Sequence, residues 1–380
     1  MNEIEKRILN LLRDLILIPS TSDNPDGLVQ AVNLIRNHVD ENGAVRVETH
    51  CSHGWPSLVA RPADTEAVEI FLVGHVDVVA SDPEGFIPAI EGNRLYGRGA
   101  GDMKGQVAIL TEVFRNLVSK RPDLPLGLMI TADEESGGHH GVGYLLNEQD
   151  YRCQTAILPD SGSLNEIVVR EKGILRGRIV CRGASGHSAR PWLSDNAAHR
   201  LVRTLAVLTE HFGVLATSEQ PWHSTLSATV LETRNQTHNC IPNSASAVVD
   251  IRFTERETAD GLIADIREMM DDLTEFQPDV IAEPLVTEPD PLFVAVTEEV
   301  TGRDASLVGE HGGSDGRYFT RKGIPVIMSR PNVGGLHSDR EWIEIDSMLA
   351  YYHILDRYLR KKLGAEREPL SYVSEEGWGD

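Results

Sequence analysis

Three consecutive carboxylates, Asp133, Glu134 and Glu135, close an apolar run in the stretch MITADEES at 129–136. Adjacent acids repel one another, so a turn that carries three invites a cation to offset them. Upstream, FLVGHVDVV at 71–79 sets His75 and Asp77 in an otherwise apolar run, and strand positions two apart share a face. That pair reads either as a solvent-facing strand end or as a metal-ligating imidazole whose second ring nitrogen a carboxylate holds. In YGRGAGDMKGQ at 96–106 the glycines suggest a phosphate loop, but Lys104 is followed by Gly105 rather than Ser or Thr. Asp102 also occupies the third glycine position of a dinucleotide fingerprint, where its charge would oppose a phosphate. The glycines instead suit a tight turn that brings Asp102 inward at the head of a helix, as a cap or as a ligand. ILPDSG at 157–162 ends another apolar strand in Asp160, and NVGGLHSDREW at 332–342 places His337 in a glycine-rich loop. Each feature alone reads as polar surface. Together they gather at the ends of apolar strands, where open α/β sheets bind their ligands. Two imidazoles and several carboxylates there make an N/O donor set for a divalent metal.

Positioning such a set takes a sheet. Residues 1–174 alternate helical and strand patterns: Ile4, Ile8, Leu11, Leu12 and Leu15 follow helical spacing, and Gln106–Leu117 reads as a helix between the strands Val68–Val79 and Leu126–Thr131, with Ala156–Leu158 beyond. This is an α/β pattern, a sheet between helices. Residues 175–287 have a different rhythm. Strand Leu175–Arg182, helix Asp195–Phe212, strands Leu226–Thr233 and Ala245–Phe253, helix Thr258–Leu273 and strand Asp279–Val286 give the order βαββαβ of a ferredoxin-like α+β unit. It is inserted, because 288–364 resumes a βα pattern with strand Ile324–Met328 and helix Asp346–Leu363. The acidic tail, 365–380, reads as mobile.

A chain of 380 residues with 41% hydrophobic content is long enough for two or three domains with a sizeable core. Its net charge of −22 argues against nucleic acid and against an anionic membrane surface. Arg7, Arg13 and Asp14 interrupt the first helical stretch, which is therefore no secretory signal, and no run approaches the roughly 18 apolar residues of a membrane span. Cys51, Cys153, Cys181 and Cys240 are scattered without metal-finger spacing, as suits reduced thiols and a cytoplasmic protein.

GHVDVV, LYGRGAGDMKG, TADEESGG, LPDSG, GASGHSARP, NCIPNSASAVVDIR, GGSDGRYF and GGLHSDREW occur in that order. The chain thereby resembles, over roughly 8–360, the di-zinc aminoacylase and peptidase family. That family includes acetylornithine deacetylase, succinyl-diaminopimelate desuccinylase, aminoacylases, carboxypeptidase G and several di- and aminopeptidases. The resemblance implies a zinc-peptidase-like catalytic domain, 1–174 plus 288–364, interrupted by a lid at 175–287 that often pairs two subunits into a homodimer. It implies two divalent ions, zinc by default, with cobalt or manganese also suited to the ligands. His75, Asp160 and a bridging Asp102 hold one ion, while Glu135, His337 and the same Asp102 hold the other. Asp77 supports His75, and Glu134 is the general base for a water shared by ions about 3.5–4 Å apart. His187 helps bind the oxyanion. Asn239 and Arg252 hold a substrate carboxylate, with the Gly312, Gly313 and Ser314 backbone assisting. The implied reaction is amide cleavage in N-acyl amino acids, with a di-, amino- or carboxypeptidase as the alternative. Two cues divide here: Asp at position 160, where the deacylases commonly carry Glu, accompanies peptidases, whereas GHSARPWLSDNAAH matches the deacylase lid.

Overall fold

The structure is a computed structural model that describes residues 3–39, 45–63, 65, 67–213 and 220–364. The tail expected at 365–380 lies outside them. The chain divides into two compact units, one of Met1–Ile167, Glu288–Leu307 and Lys322–Asp380, the other of Val168–Thr287 and Val308–Arg321. The first boundary lies at 167/168, against 174/175 in the sequence pattern, and residues 308–321, which that pattern assigns to the catalytic domain, belong to the second unit. Residues 308–321 group with the second unit for a local reason. The Lys172 N–H donates to the Glu310 carbonyl at 3.1 Å, and the Ser314 hydroxyl donates to Glu171 Oε2 at 2.8 Å.

The first unit is built on a six-stranded mixed sheet in the order Val45–Ser52, Trp55–Pro62, Leu126–Thr131, Ile70–His75, Thr155–Ile157, Val326–Ile327. Leu126–Thr131 runs parallel to Ile70–His75 and antiparallel to Trp55–Pro62. Every residue of Ile70–His75 and Leu126–Thr131 is buried, so these strands read as continuous apolar runs rather than alternations. The helix Lys104–Lys120 packs on both strands and against the helices Glu3–Ile16 and Ile345–Lys362. Surrounded in this way, it buries polar residues that need partners. Glu112 accepts from Arg7 Nε at 2.9 Å and Arg115 Nη1 at 2.9 Å and contacts His38. Burial alone would raise its pKa, but His38, Arg7 and Arg115 bring it down to about 2.

A smaller sheet, in the order Val333–Gly334, Trp342–Glu344, Arg94–Tyr96, Ala89–Glu91, ties the loop after Gly334 to the loop after Tyr96. Its register sets Trp342 opposite Tyr96.

The strand expected over Val68–Val79 ends at His75. Val76 and Val78 continue its apolar pattern, but Val78 N–H donates to the Ser20 carbonyl and Val76 C=O accepts from Ser20 Oγ. A buried loop thus takes over where the sheet stops.

The second unit carries a four-stranded antiparallel sheet in the order Thr225–Glu232, Ser244–Phe253, Gly173–Arg182, Thr274–Ala282, with helices Ala197–Gly213 and Ala259–Glu268. In chain order this is 2-3-1-4, the ferredoxin-like arrangement. Leu201, Leu208, Ile263 and Ile266 from the helices meet Leu175, Ile179, Val249 and Ile251 in one core. Two boundaries differ from the periodicity. The second helix stops at Glu268 because Asp271 caps a turn, accepting from Leu273 N and Thr274 Oγ1. The last strand starts at Thr274 because Pro278 is tolerated at a bulge on the sheet's edge, where a missing N–H costs no ladder bond.

Candidate metal centre

His75 sits at the carboxyl end of its strand, and its imidazole is 1% exposed. Nδ1 lies 3.0 Å from the Asp77 carbonyl and 3.4 Å from Asp77 Oδ1. Asp77 has left the strand, yet its carboxylate stays beside the ring, with Oδ2 accepting the Glu135 N–H at 2.9 Å. One acid therefore orients the imidazole and the turn carrying Glu134 and Glu135. In the neutral ring this arrangement would put the N–H on Nδ1 and the lone pair on Nε2. Nε2 faces Asp102 Oδ1 at 3.3 Å, Asp160 Oδ1 at 3.7 Å and Glu134 Oε2 at 3.8 Å. His337, half-exposed in its loop, points Nε2 at Asp102 Oδ2, 3.4 Å away, and at Glu135 Oε1, 3.2 Å away.

Asp102 does not cap the helix that follows it, which begins at Lys104 without a side-chain cap. Its two oxygens face two different imidazoles instead. The glycines before it permit that turn: Gly99 has φ +82°, and a Cβ there would lie 2.7 Å from Val78 Cγ1.

Among the described residues the side chains that could hold a metal fall into two groups, His75, Glu134 and Asp160, and Asp102, Glu135 and His337, with one donor atom of each within 4.8 Å of the others in its group. His75 Nε2 and Glu135 Oε1 are buried and make no well-formed hydrogen bond, although ionisable groups face them at 3.3 and 3.2 Å. A buried imidazole nitrogen and carboxylate oxygen in that state carry a desolvation cost that a cation would relieve. The donor set of imidazole and carboxylate suits zinc, cobalt or manganese. The electrostatics agree. Asp102 and Glu135 raise the His337 pKa to about 10 against the effect of burial. Burial opposes charge on His75, yet Asp102, Asp160 and Asp77 hold its pKa well above the usual range. Burial also works against Asp102, but His337 and His75 keep it far below the carboxylate range. Such an acidic pocket attracts positive charge strongly.

Asp133, which the sequence leaves without a role, anchors the turn. It is 1% exposed, its carbonyl accepts from Ser136 and Gly138, and Oδ2 accepts the His140 N–H at 2.7 Å. Burial, with Asp77 nearby, raises its pKa to about 6.

Residues outside the sequence-derived set also shape the centre. Arg330 donates through Nη1 to the Asp160 carbonyl at 2.6 Å and through Nε to the Gly162 carbonyl at 3.2 Å. Glu341 holds the Asp102 loop. Both appear within motifs already singled out or near them, but nothing in their spacing reveals whom they touch.

The remaining candidates lie in the second unit. His187 is exposed on the two-residue strand paired with Cys240–Ile241, its Nδ1 accepting the Ala189 N–H. Exposed Asn239 is its neighbour, with its carbonyl accepting the Ser188 N–H at 2.9 Å. Arg252 shares its guanidinium with Asp250, Nε to Oδ1 at 2.7 Å. Ser314 departs from expectation: it is 3% exposed, and both its N–H and its hydroxyl donate to Glu171 Oε2. Those donors are committed within the unit, which leaves Gly312 and Gly313 as the loop's candidates for a substrate carboxylate.

Residues 71–361 match the peptidase family M20/M25/M40. A succinyl-diaminopimelate desuccinylase from Bordetella parapertussis is 29% identical over 94% of this chain and 99% of its own length. Another, from Parvibaculum lavamentivorans, is 32% identical over 70% of each chain. Among solved structures, the M20 family metallo-carboxypeptidase Sso-CP2 from Sulfolobus solfataricus superposes with a TM-score of 0.77 at 18% identity, covering 95% of this chain and 99% of its own. The aminopeptidase PepT from Bacillus cereus gives 0.76 at 18% identity with the same coverage. At that identity the likeness speaks to the fold.

Proposed function

Because the chain belongs to peptidase family M20/M25/M40, we propose that it is a dinuclear metal amidohydrolase cleaving N-acyl amino acids, of the desuccinylase or deacetylase type. One observation carries the metal part: Asp102 directs Oδ1 toward His75 and Oδ2 toward His337, each oxygen within 3.4 Å of an imidazole Nε2. His75 and Asp160 would complete one site and Glu135 and His337 the other, zinc being the first candidate ion. Bound there, the ions would supply Lewis acidity that acidifies water and polarises the amide carbonyl. Glu134 takes the water's proton and passes it to the leaving nitrogen. Asp77 keeps His75 in the tautomer that presents Nε2. His187 donates to the developing oxyanion. Asn239 and Arg252, with the Gly312 and Gly313 backbone, hold the amino acid's carboxylate. Arg252 must then exchange Asp250 for substrate, a bidentate task that suits a guanidinium.

The acyl-group assignment is supported by desuccinylases that align along nearly the whole chain. Asp160 favours the second reading, a di- or aminopeptidase with the same machinery. The metal-reconstituted protein should turn over N-succinyl and N-acetyl amino acids and leave unblocked dipeptides largely intact. Turnover confined to substrates with a free amino terminus would overturn the deacylase assignment in favour of the peptidase.

The second unit also suits self-association. Thr225–Glu232 is an edge strand exposed from Ser227 onward, with Leu231 65% exposed, and Val202 on the adjacent helix is 66% exposed. An edge strand with apolar neighbours is a template for pairing. A homodimer through this face is proposed, with Leu231→Lys shifting the sedimentation mass from dimer to monomer; an unmodified chain that sediments as a monomer sinks it.

A further inference from the structure

The loop that carries Asp102 is held by a single buried side chain from a distant part of the sequence. Glu341 is 2% exposed. Its Oε1 accepts the N–H of Gly101 at 2.9 Å and the N–H of Asp102 at 2.9 Å, while Oε2 accepts Arg98 Nη1 at 2.7 Å. Its own carbonyl accepts the Gly97 N–H at 3.1 Å. Glu341 thus touches the turn at both ends and at its one cation. Sheet register explains how it arrives there. Trp342 pairs with Tyr96, so the residue before Trp342 comes to rest against the residues after Tyr96. The same loop carries His337 four positions earlier. One carboxylate therefore couples the backbone of Asp102 to the loop of His337 through main-chain donors and Arg98.

We infer that Glu341 is a positioning residue for the metal pair: it fixes the Asp102 main chain so that the carboxylate reaches both sites. The inference rests on the dinuclear site proposed above. It does not depend on the acyl substrate. The chemistry of the contact makes the role specific. Glu341 accepts on both of its oxygens, whereas a glutamine has one acceptor and one donor end. In either orientation Glu341→Gln sets an amide N–H₂ against another donor, Arg98 on one side or the two loop N–H groups on the other. Glu341→Asp keeps the charge opposite Arg98 but draws the carboxylate back by about 1.5 Å, beyond reach of the loop.

The test is zinc and cobalt affinity of the metal-free protein, measured by competition with a chromophoric chelator, alongside the melting temperature of the metal-free state. Both variants should bind metal about 10–100-fold more weakly than the unmodified chain, the loss typical of a residue that orients a ligand. Glu341→Asp, which keeps the buried ion pair, decides the matter if Glu341→Gln does not fold. Affinity within twofold of the unmodified chain in Glu341→Asp, or in a folded Glu341→Gln, overturns the inference and leaves the dinuclear reading standing. An unmodified chain that binds fewer than two ions overturns both. A desuccinylase assay that fails while the affinity loss is seen overturns only the substrate assignment.

Discussion

Glu134→Gln is expected to lower kcat by about 10²–10⁴-fold while the protein still binds two divalent ions, the loss typical of removing a general base. Glutamine keeps the size of the side chain and cannot take up the water's proton. The geometry makes this more than a formality, because Glu134 Oε2 stands in the same cluster as His75 and Asp160. A ligand role for Glu134 therefore competes with the base role. Distance to the imidazole does not separate the two roles, since Glu134 Oε2 is 3.8 Å from His75 Nε2 and the proposed ligand Asp160 Oδ1 is 3.7 Å away. The base role for Glu134 rests on the family resemblance. Metal content after dialysis, measured beside kcat on the best N-acyl substrate, separates the two. Two ions with low kcat supports the base. Loss of one ion makes Glu134 a ligand, and unchanged kcat removes it from the reaction.

The sequence made the metal candidates legible for a physical reason. Ile70–His75 and Leu126–Thr131 are buried on every residue, so a histidine or an acid at the end of such a run stands out against an unbroken apolar background. The ferredoxin-like order was legible because two amphipathic helices separate its strands. What the sequence hid was of two kinds. The hairpin Val45–Ser52 with Trp55–Pro62 lacks a clean period; its first strand mixes exposed and half-buried residues. Likewise, the strand Thr274–Ala282 contains a proline that argues against a strand until its edge position is known.

The second kind concerns partners rather than elements. Glu341 meets Gly101 and Asp102 across a separation of about 240 residues, and only the pairing of Trp342 with Tyr96 decides that meeting. Nothing local distinguishes it from the exposed acids of the same chain. Ser314 shows the converse. Its motif suggests donors offered to a substrate, and tertiary structure spends them on Glu171 instead. Asp133 repeats the lesson within the acidic run: of three adjacent carboxylates, one turns inward to hold backbone N–H groups while Glu134 and Glu135 remain at the metal candidates.

Asp102→Asn should cost both ions at once and reduce turnover by more than the roughly 10²–10⁴-fold expected of Glu134→Gln. The substitution is nearly isosteric and leaves the main-chain N–H on Glu341, so the loop has no reason to move. What changes is the side chain's outer end. A carboxylate offers lone pairs on both oxygens, and an amide offers them on one, its N–H₂ having none. Whichever way the asparagine turns, one of the two imidazoles, His75 or His337, faces a donor where an acceptor stood. The charge that both sites would share is also gone. Losing the ions would remove the acidification they would give a bound water, which is why the effect exceeds loss of the base alone. His337→Ala provides the contrast. It strips one site and should leave an ion with His75 and Asp160. Metal content and calorimetric titration read the difference directly. If Asp102→Asn retains one tightly held ion and His337→Ala retains none, the bridge is misassigned, and His337 rather than Asp102 is the residue on which both sites depend.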